Sequence, residues 1–402
     1  MSFTLPGAAA PVFRADTPLP RHASARMRAF LATRRVERPM LVLDLDAVAA
    51  AYDALAAGLE GAVIHYAVKA NPHPAVLARL AALGAGFDAA SRGEIELCLA
   101  TGVAPSRISF GNTVKRAADI AHAHAHGIDL FAADAVEELE KIAAHAPGAR
   151  VFIRMLVEES EAAWPLSRKF GAAPEVVVDL MDQAAALGLR PVGLSFHVGS
   201  QTSRAAMWRP VLDGAAAVWA EARGRGHALD LLNIGGGFPA DYGDPVEAPA
   251  PYGRTLMTAL AERFGTGITV MAEPGRGLVG DAGLIVAEVL LVDRKRPTDI
   301  ARWVWLDIGK FSGLAETIDE AIRYRIETEA DDRPAPGART GPCILAGPSC
   351  DSADVLYEKR PVALPLSLRA GDRVWIHAAG AYTSSYSSVG FNGFPPLDTV
   401  VF

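Results

Sequence analysis

Cysteine is scarce in this sequence: its 402 residues include three, at positions 98, 343 and 350, and no C-x-x-C pair. An odd count without paired spacing argues against a disulfide framework and favours a reducing compartment, so we expect a cytoplasmic protein. Positive charge is not in excess either, because 39 Lys and Arg face 46 Asp and Glu and leave a net charge of −7. This balance argues against nucleic acid or an anionic membrane as a partner.

Long hydrophobic runs are also missing. The most apolar window, residues 278–292, is interrupted by Asp281 and Glu288, and it is shorter than the ~20 residues that a membrane-spanning helix needs. Residues 1–13 lack a basic stretch followed by an apolar one, so we expect no signal peptide. Hydrophobic residues nevertheless make up 50% of the sequence, which is enough for a large core and for more than one domain.

A repeated strand–helix pattern occupies the middle of the sequence. Eight apolar strands alternate with alanine-rich helices over about 210 residues, which is typical of a (β/α)8 barrel. A ninth strand, at residues 40–45, is expected to belong to another sheet. The eight predicted barrel strands are residues 64–69, 86–90, 108–111, 130–133, 151–155, 193–199, 231–235 and 268–273.

Beyond residue 280 the long helices disappear. Short strands follow one another there, which is typical of a mostly antiparallel sheet. We therefore predict an α/β fold with a barrel at residues 39–280 and a β-rich second domain made of residues 1–38 and 281–402. The strands predicted in the second domain are residues 284–292, 303–307, 343–346, 362–365 and 374–377.

Polar side chains stand at the end of nearly every predicted barrel strand. Any one of them could be a helix cap or a turn residue, but the carboxyl ends of the strands are where this barrel type places its active site. Together they favour an active site over a set of caps. They are Lys69, Asp88, Asn112, Asp134, Arg154, His197, Gly235–Gly237 and Glu273–Arg276.

Lys69 ends an apolar strand and is followed by a turn at Asn71-Pro72. An amine at such a position is expected to be poorly solvated, which favours its nucleophilic form and suits a Schiff base with an aldehyde. A lone lysine could equally reach water from a strand end. The glycines at 235–237 and the Gly275-Arg276 pair offer amides and a guanidinium after strands seven and eight, where such barrels often bind phosphate.

A phosphate site facing a lysine indicates pyridoxal phosphate, because no P-loop pattern points to a nucleotide. Glu273 would then reach the pyridine nitrogen and keep it protonated, while His197 could stack on the ring or contact the substrate. In the second domain, the turn at 347–354 presents Cys350 beside Asp351. We expect no metal site, since His122 and His126 share a helix face without a third ligand.

These motifs resemble those of the fold-type III pyridoxal-phosphate decarboxylases, most closely the eukaryotic-type ornithine decarboxylases and their bacterial relatives. The resemblance covers nearly the whole sequence, with the motifs in the same order. The segments that carry it are YAVK at 66–69, FDAASRGE at 87–94, SFHVGS at 195–200, GGGF at 235–238, EPGR at 273–276, GPSCD at 347–351 and GAY at 380–382.

The resemblance implies a role for each matching residue. Lys69 carries the Schiff base with pyridoxal phosphate, Glu273 pairs with the ring nitrogen and His197 stacks on the ring. Asp88, Glu94 and Arg154 are expected to surround the cofactor and Lys69. The residues expected at the phosphate are Ser200, Gly236, Gly237, Gly275, Arg276 and Tyr382.

The resemblance also implies a homodimer with two shared active sites. Cys350 of one chain would protonate Cα of the amino-acid substrate bound to the other, and Asp351 would bind the distal ammonium with help from Tyr382. A second carboxylate is expected at Asp319 or Glu320, with Glu320 preferred. The family pattern further pairs Lys169 with Asp354 across the interface and makes residues 157–170 a mobile loop.

The expected reaction is decarboxylation of L-ornithine to putrescine, and several alternatives stay open. The uncertain second carboxylate allows a lysine/ornithine decarboxylase of dual specificity. A diaminopimelate decarboxylase is disfavoured by Asp351, because that family needs to bind a distal carboxylate. Alanine racemases are disfavoured by Glu273. A non-catalytic pyridoxal-phosphate-binding homologue is disfavoured by the presence of both Lys69 and Cys350.

Overall fold

A computed structural model of the protein describes residues 19–34, 36–157, 169–333 and 339–402. Eight parallel strands close into a barrel in sequence order, as predicted. Each lies within a few residues of its predicted position. The barrel strands are β2 (Val63–Ala67), β3 (Gly86–Ala89), β4 (Ile108–Phe110), β5 (Leu130–Ala133), β6 (Arg150–Arg154), β7 (Arg190–Ser195), β8 (Leu231–Asn233) and β9 (Thr269–Ala272).

Several barrel strands end earlier than the sequence predicts. β2 stops at Ala67, and Lys69 lies in a 3₁₀ turn formed by Val68–Ala70. β7 stops at Ser195 and β8 at Asn233, so His197 and the glycine run lie in the loops that follow. The backbone leaves the hydrogen-bonded ladder where side chains and amides turn toward the barrel mouth. The pattern of apolar residues does not show where this happens, so the predicted strands are too long.

Helices surround the barrel, and several begin with a proline in the first turn, where its missing N–H costs nothing. Gly58 and Gly253 let two of them touch, since a Cβ at Gly58 would lie 2.6 Å from the carbonyl oxygen of Ala250. The helices are α1 (Ala25–Thr33), α2 (Leu45–Gly58), α3 (Pro74–Ala82), α4 (Arg92–Leu99), α5 (Ala117–Ala125), α6 (Val136–His145), α7 (Pro174–Ala186), α8 (Arg209–Gly224), α9 (Pro249–Phe264) and α10 (Arg276–Val279).

The second sheet is mostly antiparallel, and its central strand pairs with three neighbours. It includes the predicted ninth strand, β1, so the proposed barrel domain of residues 39–280 contains one strand of the other sheet. Strands β12 and β16 are short and were not predicted. The strands are β1 (Met40–Leu43), β10 (Gly283–Asp293), β11 (Arg302–Leu306), β12 (Ile326–Thr328), β13 (Thr340–Ala346), β14 (Val362–Pro365), β15 (Arg373–His377) and β16 (Asp398–Val401).

Each sheet has a hydrophobic core of its own. The larger core packs the barrel strands against the surrounding helices, and a second one fills the β-rich domain around Ile285, Val304 and Leu345. Among the residues that the structure describes, no helix is both long and apolar enough to cross a membrane.

Candidate active site

The turn that carries Lys69 is fixed by three hydrogen bonds. The Tyr66 hydroxyl donates to the Asn71 carbonyl at 3.0 Å, and the Asn71 side chain donates to the Gly380 carbonyl at 2.9 Å. The backbone N–H of Tyr382 donates to the Ala70 carbonyl at 2.8 Å. Lys69 itself is exposed, so the expectation of a poorly solvated amine is wrong. A rigid turn held by the second domain presents this amine at the barrel mouth.

Arg276 stands at the start of α10 and is almost completely buried. Its guanidinium donates to both carboxylate oxygens of Glu316, at 2.6 and 2.8 Å, and to the Tyr242 hydroxyl at 2.7 Å. Its Nε and Nη2 also reach the Ser200 hydroxyl, at 3.3 and 3.2 Å. The guanidinium is therefore held in one orientation, and a bidentate carboxylate pair of this kind is both strong and directional.

The loop backbones after β7, β8 and β9 pack closely against one another. A Cβ at Gly236 would lie 2.9 Å from the Glu273 carbonyl oxygen and 3.0 Å from Nε2 of His197. Gly237 has a φ of 107°, and a Cβ there would lie 2.6 Å from the Gly199 carbonyl oxygen. Neither position has room for a side chain, so backbone forms this wall and can approach a bound anion closely.

Tyr382, from the second domain, also lies against Arg276, and we call the group formed by Ser200, Arg276 and Tyr382 the Arg276 corner. Its ring centroid lies 4.9 Å from the Arg276 guanidinium carbon, and a Cβ at Gly275 would be 3.2 Å from its hydroxyl. Burial raises the pKa of Tyr382 to about 12, so the phenol keeps its proton as a donor. The predicted phosphate residues Ser200, Gly275, Arg276 and Tyr382 are thus brought together, with Gly236 and Gly237 on the adjoining loop.

Three carboxylates lie near Lys69 or near each other: Asp88 is buried, and Glu94 and Glu273 are partly buried. Burial has the largest effect on the pKa of Asp88 and, with the negative charge of Glu273, holds it well above its ordinary range. The positive charge of Lys69 acts in the opposite direction. Glu273 accepts a hydrogen bond from the Asn233 side chain at 2.5 Å. Glu94 accepts from the Ala90 N–H at 2.7 Å, and burial raises the pKa of Glu94.

His197 and Arg154 complete the barrel cluster. Burial, followed by Arg154 and Lys69, keeps the pKa of His197 well below its usual value, so the imidazole is neutral. Its Nδ1 accepts from the Gly199 N–H at 3.0 Å, which leaves the proton on Nε2. The guanidinium of Arg154 stacks on the Phe170 ring at 5.0 Å, and burial lowers the pKa of Arg154.

These residues fit pyridoxal phosphate. The Arg276 corner suits a phosphate, and the Lys69 amine suits an aldehyde. The Glu273 carboxylate raises the pKa of the buried Asp88, so a protonated pyridine nitrogen beside Glu273 would offset the negative charge there. No group of three or more potential ligands in the described ranges is arranged to hold a metal ion.

Cys350 and Asp351 lie on an exposed turn of the second domain. The Cys350 N–H donates to the Asn392 side chain at 3.0 Å, and the Asp351 carboxylate accepts from the Ala353 N–H at 2.8 Å. Within the described ranges, Asp351 makes no ion pair, and neither residue is hydrogen-bonded to the Lys69 cluster. Their place in an active site therefore stays a prediction.

Glu320, preferred by sequence for the distal ammonium, is already engaged. It is 5% exposed and accepts from Arg323 at 2.8 Å and from the backbone N–H groups of Lys359 and Arg360. Asp319 next to it is 84% exposed in its side chain and has one ion pair, to Lys359 at 3.3 Å.

The predicted partner of Lys169, Asp354, is also engaged within its own chain. It is 3% exposed and accepts from the Lys310 N–H and from the Ser349 N–H and hydroxyl. The mobile loop predicted at 157–170 lies mostly outside the described residues, at 158–168. Its far end is fixed, because the Gly171 N–H donates to Asp134 at 2.7 Å.

The sequence did not indicate four residues that support this site. Glu316 and Tyr242 hold Arg276, Asn233 holds Glu273, and Ser109 contacts Asp88 at 3.3 Å. Asn233 could have been noticed as a polar residue at the end of β8. The other three follow no motif or spacing. Glu316 lies in the β-rich second domain, whereas Arg276, which it holds, lies in the barrel domain.

Comparison with known proteins identifies the class. A family profile described as the pyridoxal-binding domain of pyridoxal-dependent decarboxylases matches residues 45–280. The lysine/ornithine decarboxylase of Selenomonas ruminantium is 33% identical over 369 residues, which are 92% of this chain and 91% of that protein. The ornithine decarboxylase of Schizosaccharomyces pombe is 34% identical over 336 residues, covering 82% of this chain and 75% of the relative.

A solved structure agrees with these matches. The lysine/ornithine decarboxylase of Vibrio vulnificus complexed with putrescine superimposes with a TM-score of 0.81 at 33% identity, over 94% of this chain and 99% of that one. The chain belongs to the pyridoxal-dependent decarboxylase family. It is therefore a carboxy-lyase that uses pyridoxal phosphate and acts on an amino acid.

Proposed function

We propose that the protein decarboxylates L-ornithine to putrescine in a homodimer with shared active sites. One observation carries the substrate class: Asp351 stands exposed beside the Cys350 thiol and, in the described ranges, has no cationic partner. A carboxylate that is buried by a substrate needs a cation beside it. A distal ammonium supplies that cation, and a distal carboxylate would be repelled.

The second carboxylate of this pocket is Asp319 rather than Glu320. Glu320 is buried among donors that use its oxygens, and withdrawing it would leave Arg323 without its nearest carboxylate. Asp319 is free to bind because its one ion pair, to Lys359, is exposed and such pairs contribute little.

The residues of the barrel mouth would hold pyridoxal phosphate at three points. Lys69 would bond to its aldehyde, the Arg276 corner would bind its phosphate, and Glu273 would pair with its ring nitrogen. When bound, the cofactor supplies the electron sink for the electron pair left by departing carbon dioxide. Neutral His197 can stack on a ring without competing with Glu273 for the proton on the nitrogen.

Cys350 holds the proton that Cα needs after carbon dioxide has left. A thiol can serve as such an acid when it is placed on the correct face of the substrate. The exposed position of Cys350, with its backbone fixed by Asn392, supports a role in the site of a second chain.

L-lysine is the second candidate substrate. The relatives from Selenomonas and Vibrio are named lysine/ornithine decarboxylases. Asp319 and Glu320 both adopt positive φ, at 55° and 59°, in a kinked 3₁₀ segment, and a small change in that kink would alter the pocket length. A cytoplasmic location stays a prediction from cysteine usage.

The test is carbon dioxide release from L-ornithine, L-lysine, L-arginine and meso-diaminopimelate, with and without added pyridoxal phosphate. We expect cofactor-dependent release from L-ornithine, lost in Asp351→Ala and kept in Glu262→Ala, a control that removes an exposed carboxylate of α9. Equal rates with ornithine and lysine would establish dual specificity. Release from diaminopimelate alone, or no release with cofactor bound, would contradict the proposal.

A further inference from the structure

Three buried polar residues on adjacent barrel strands form a hydrogen-bonded chain beneath the active site. Nδ1 of His65 on β2 lies 3.3 Å from the Ser109 hydroxyl oxygen on β4. The same hydroxyl oxygen lies 3.3 Å from Oδ1 of Asp88, on β3 between them. The three residues are 7%, 0% and 6% exposed, respectively. Neither His65 nor Ser109 has a part in the function proposed above.

Two glycines provide the space for this chain. A Cβ at Gly86 would lie 2.6 Å from Cδ2 and from Nε2 of His65. A Cβ at Gly111 would lie 1.9 Å from Oδ1 of Asp88. Any side chain at Gly111 would displace the Asp88 carboxylate. The absence of side chains at Gly86 and Gly111 therefore leaves room in the barrel interior for His65 and for Asp88.

The charge state of His65 fixes what the ring can do. Burial, and after it the positive charges of Arg107 and Arg150, lower the pKa of His65 to about 4, although a hydrogen bond to the Phe87 backbone opposes them. The ring is therefore neutral at physiological pH and carries one N–H. If that hydrogen is on Nδ1, the ring donates to Ser109, whose own hydrogen is then free for an acceptor.

Ser109 has two acceptors within reach, the Asp88 carboxylate at 3.3 Å and the Phe87 carbonyl at 3.4 Å. An ionised carboxylate is the stronger acceptor of the two. In the part of the chain that the structure describes, Ser109 is the one hydrogen-bond donor to the Asp88 carboxylate. With its hydrogen on Nδ1, the ring of His65 would occupy a lone pair of the Ser109 hydroxyl and so orient this donor.

We propose that His65 and Ser109 are positioning residues that stabilise the ionised form of Asp88. His65 donates a hydrogen bond to the Ser109 hydroxyl, and that hydroxyl donates one to the Asp88 carboxylate. The other groups facing Asp88 act in both directions: Glu273 and Glu94 favour its protonated form, and Lys69 favours its ionised form. These two hydrogen bonds therefore set how much negative charge Asp88 places beside Glu273 and Lys69. This inference rests on the proposed function only in placing Asp88 at the cofactor.

The experiment is an infrared titration of the full-length holoenzyme, following the carboxyl C=O band that Asp88→Asn removes. Ser109→Ala and His65→Phe should each raise the midpoint pH of Asp88 ionisation by about half to one unit, the effect of one lost hydrogen bond. Ser109→Thr and His65→Asn keep a donor at each position and should titrate near the wild-type midpoint.

The double variant Ser109→Ala/His65→Phe should shift the midpoint no further than Ser109→Ala, because the two residues act through one hydrogen bond. The pH dependence of the dissociation constant for pyridoxal phosphate should shift in the same direction. Unchanged midpoints, a downward shift, or equal shifts in the donor-keeping variants would overturn the proposal. The titration needs no turnover, so its outcome is independent of which amino acid is decarboxylated.

Discussion

At the scale of single residues, the phosphate corner depends on a buried ion pair. Arg276 and Glu316 are each about nine-tenths buried or more and meet through two short hydrogen bonds. Removing one partner from such a pair leaves an uncompensated charge, which costs more than the intact pair contributes. Glu316 thus positions Arg276, the group that we propose binds the cofactor phosphate.

Glu316→Gln tests this arrangement. Without cofactor the variant should be less stable by about 3 kcal/mol, because the Arg276 charge loses its counter-charge. A bound phosphate would replace that charge, so pyridoxal phosphate should raise the melting temperature of the variant more than that of the wild type. Thermal melting with and without cofactor measures both effects. An equal rise in the two proteins would contradict this role of Glu316.

Residues at strand ends could be predicted, and residues that support them could not. Lys69, Glu273 and Arg276 follow apolar strands, and the barrel geometry alone places such positions at one mouth. Glu316 and Tyr242 reach Arg276 only because distant segments pack together, and no local pattern encodes that contact. The role of Glu320 stays a prediction, and its ion pairs with Arg323 and Arg360 are recognisable only in the fold.

At the scale of elements, the backbones of the loops after β7, β8 and β9 pack against one another, and we propose that they line the cofactor site. The alternation of strands and helices was sufficient to predict the barrel. Strand ends were predicted up to four residues late, as at β7, because Phe196 and Val198 continue an apolar run after the hydrogen-bonded ladder has ended. β12 and β16, of three and four residues, were missed.

Gly236→Ala tests the backbone wall. The added methyl group would press on the Glu273 carbonyl and on His197, so pyridoxal phosphate should bind about tenfold more weakly. Gly214→Ala, in α8, is the matched control, because its Cβ would meet nothing within 4 Å and alanine suits a helix better. Fluorescence titration with the cofactor measures the difference, and equal affinities would refute the packing argument.

In the kinked segment at Ala315–Glu320, we propose that Asp319 binds the substrate and that Glu320 stabilises the fold. Asp319→Ala should lower kcat/KM for L-ornithine by about 10- to 100-fold, the loss of one charge-assisted hydrogen bond, without lowering the melting temperature. Glu320→Ala should lower the melting temperature, since Arg323 and Arg360 lose their carboxylate. L-norvaline has no distal amine, so its slow turnover should be insensitive to Asp319→Ala. A stable Glu320→Ala with selectively impaired ornithine turnover would reverse the assignment.

At the scale of the whole molecule, the second domain supports the site of its own chain, and the family resemblance implies a contribution to the site of a partner chain. Its segment around Gly380 and Tyr382 fixes the Lys69 turn of the same chain. Its turn at Cys350 and Asp351 is exposed and has no hydrogen bond to that cluster in the described ranges. A head-to-tail homodimer would give this turn a site on the partner chain, as the family resemblance implies.

The most direct test is putrescine formation from L-ornithine by Lys69→Ala and Cys350→Ala chains, assayed separately and after co-expression. Each variant alone should form little putrescine, because every site lacks one of the two residues. Random mixing should restore about a quarter of the wild-type rate, since half of the dimers then contain one intact site. No recovery in a mixed population shown to contain heterodimers would contradict shared active sites, and full activity of Cys350→Ala alone would contradict the role of its thiol.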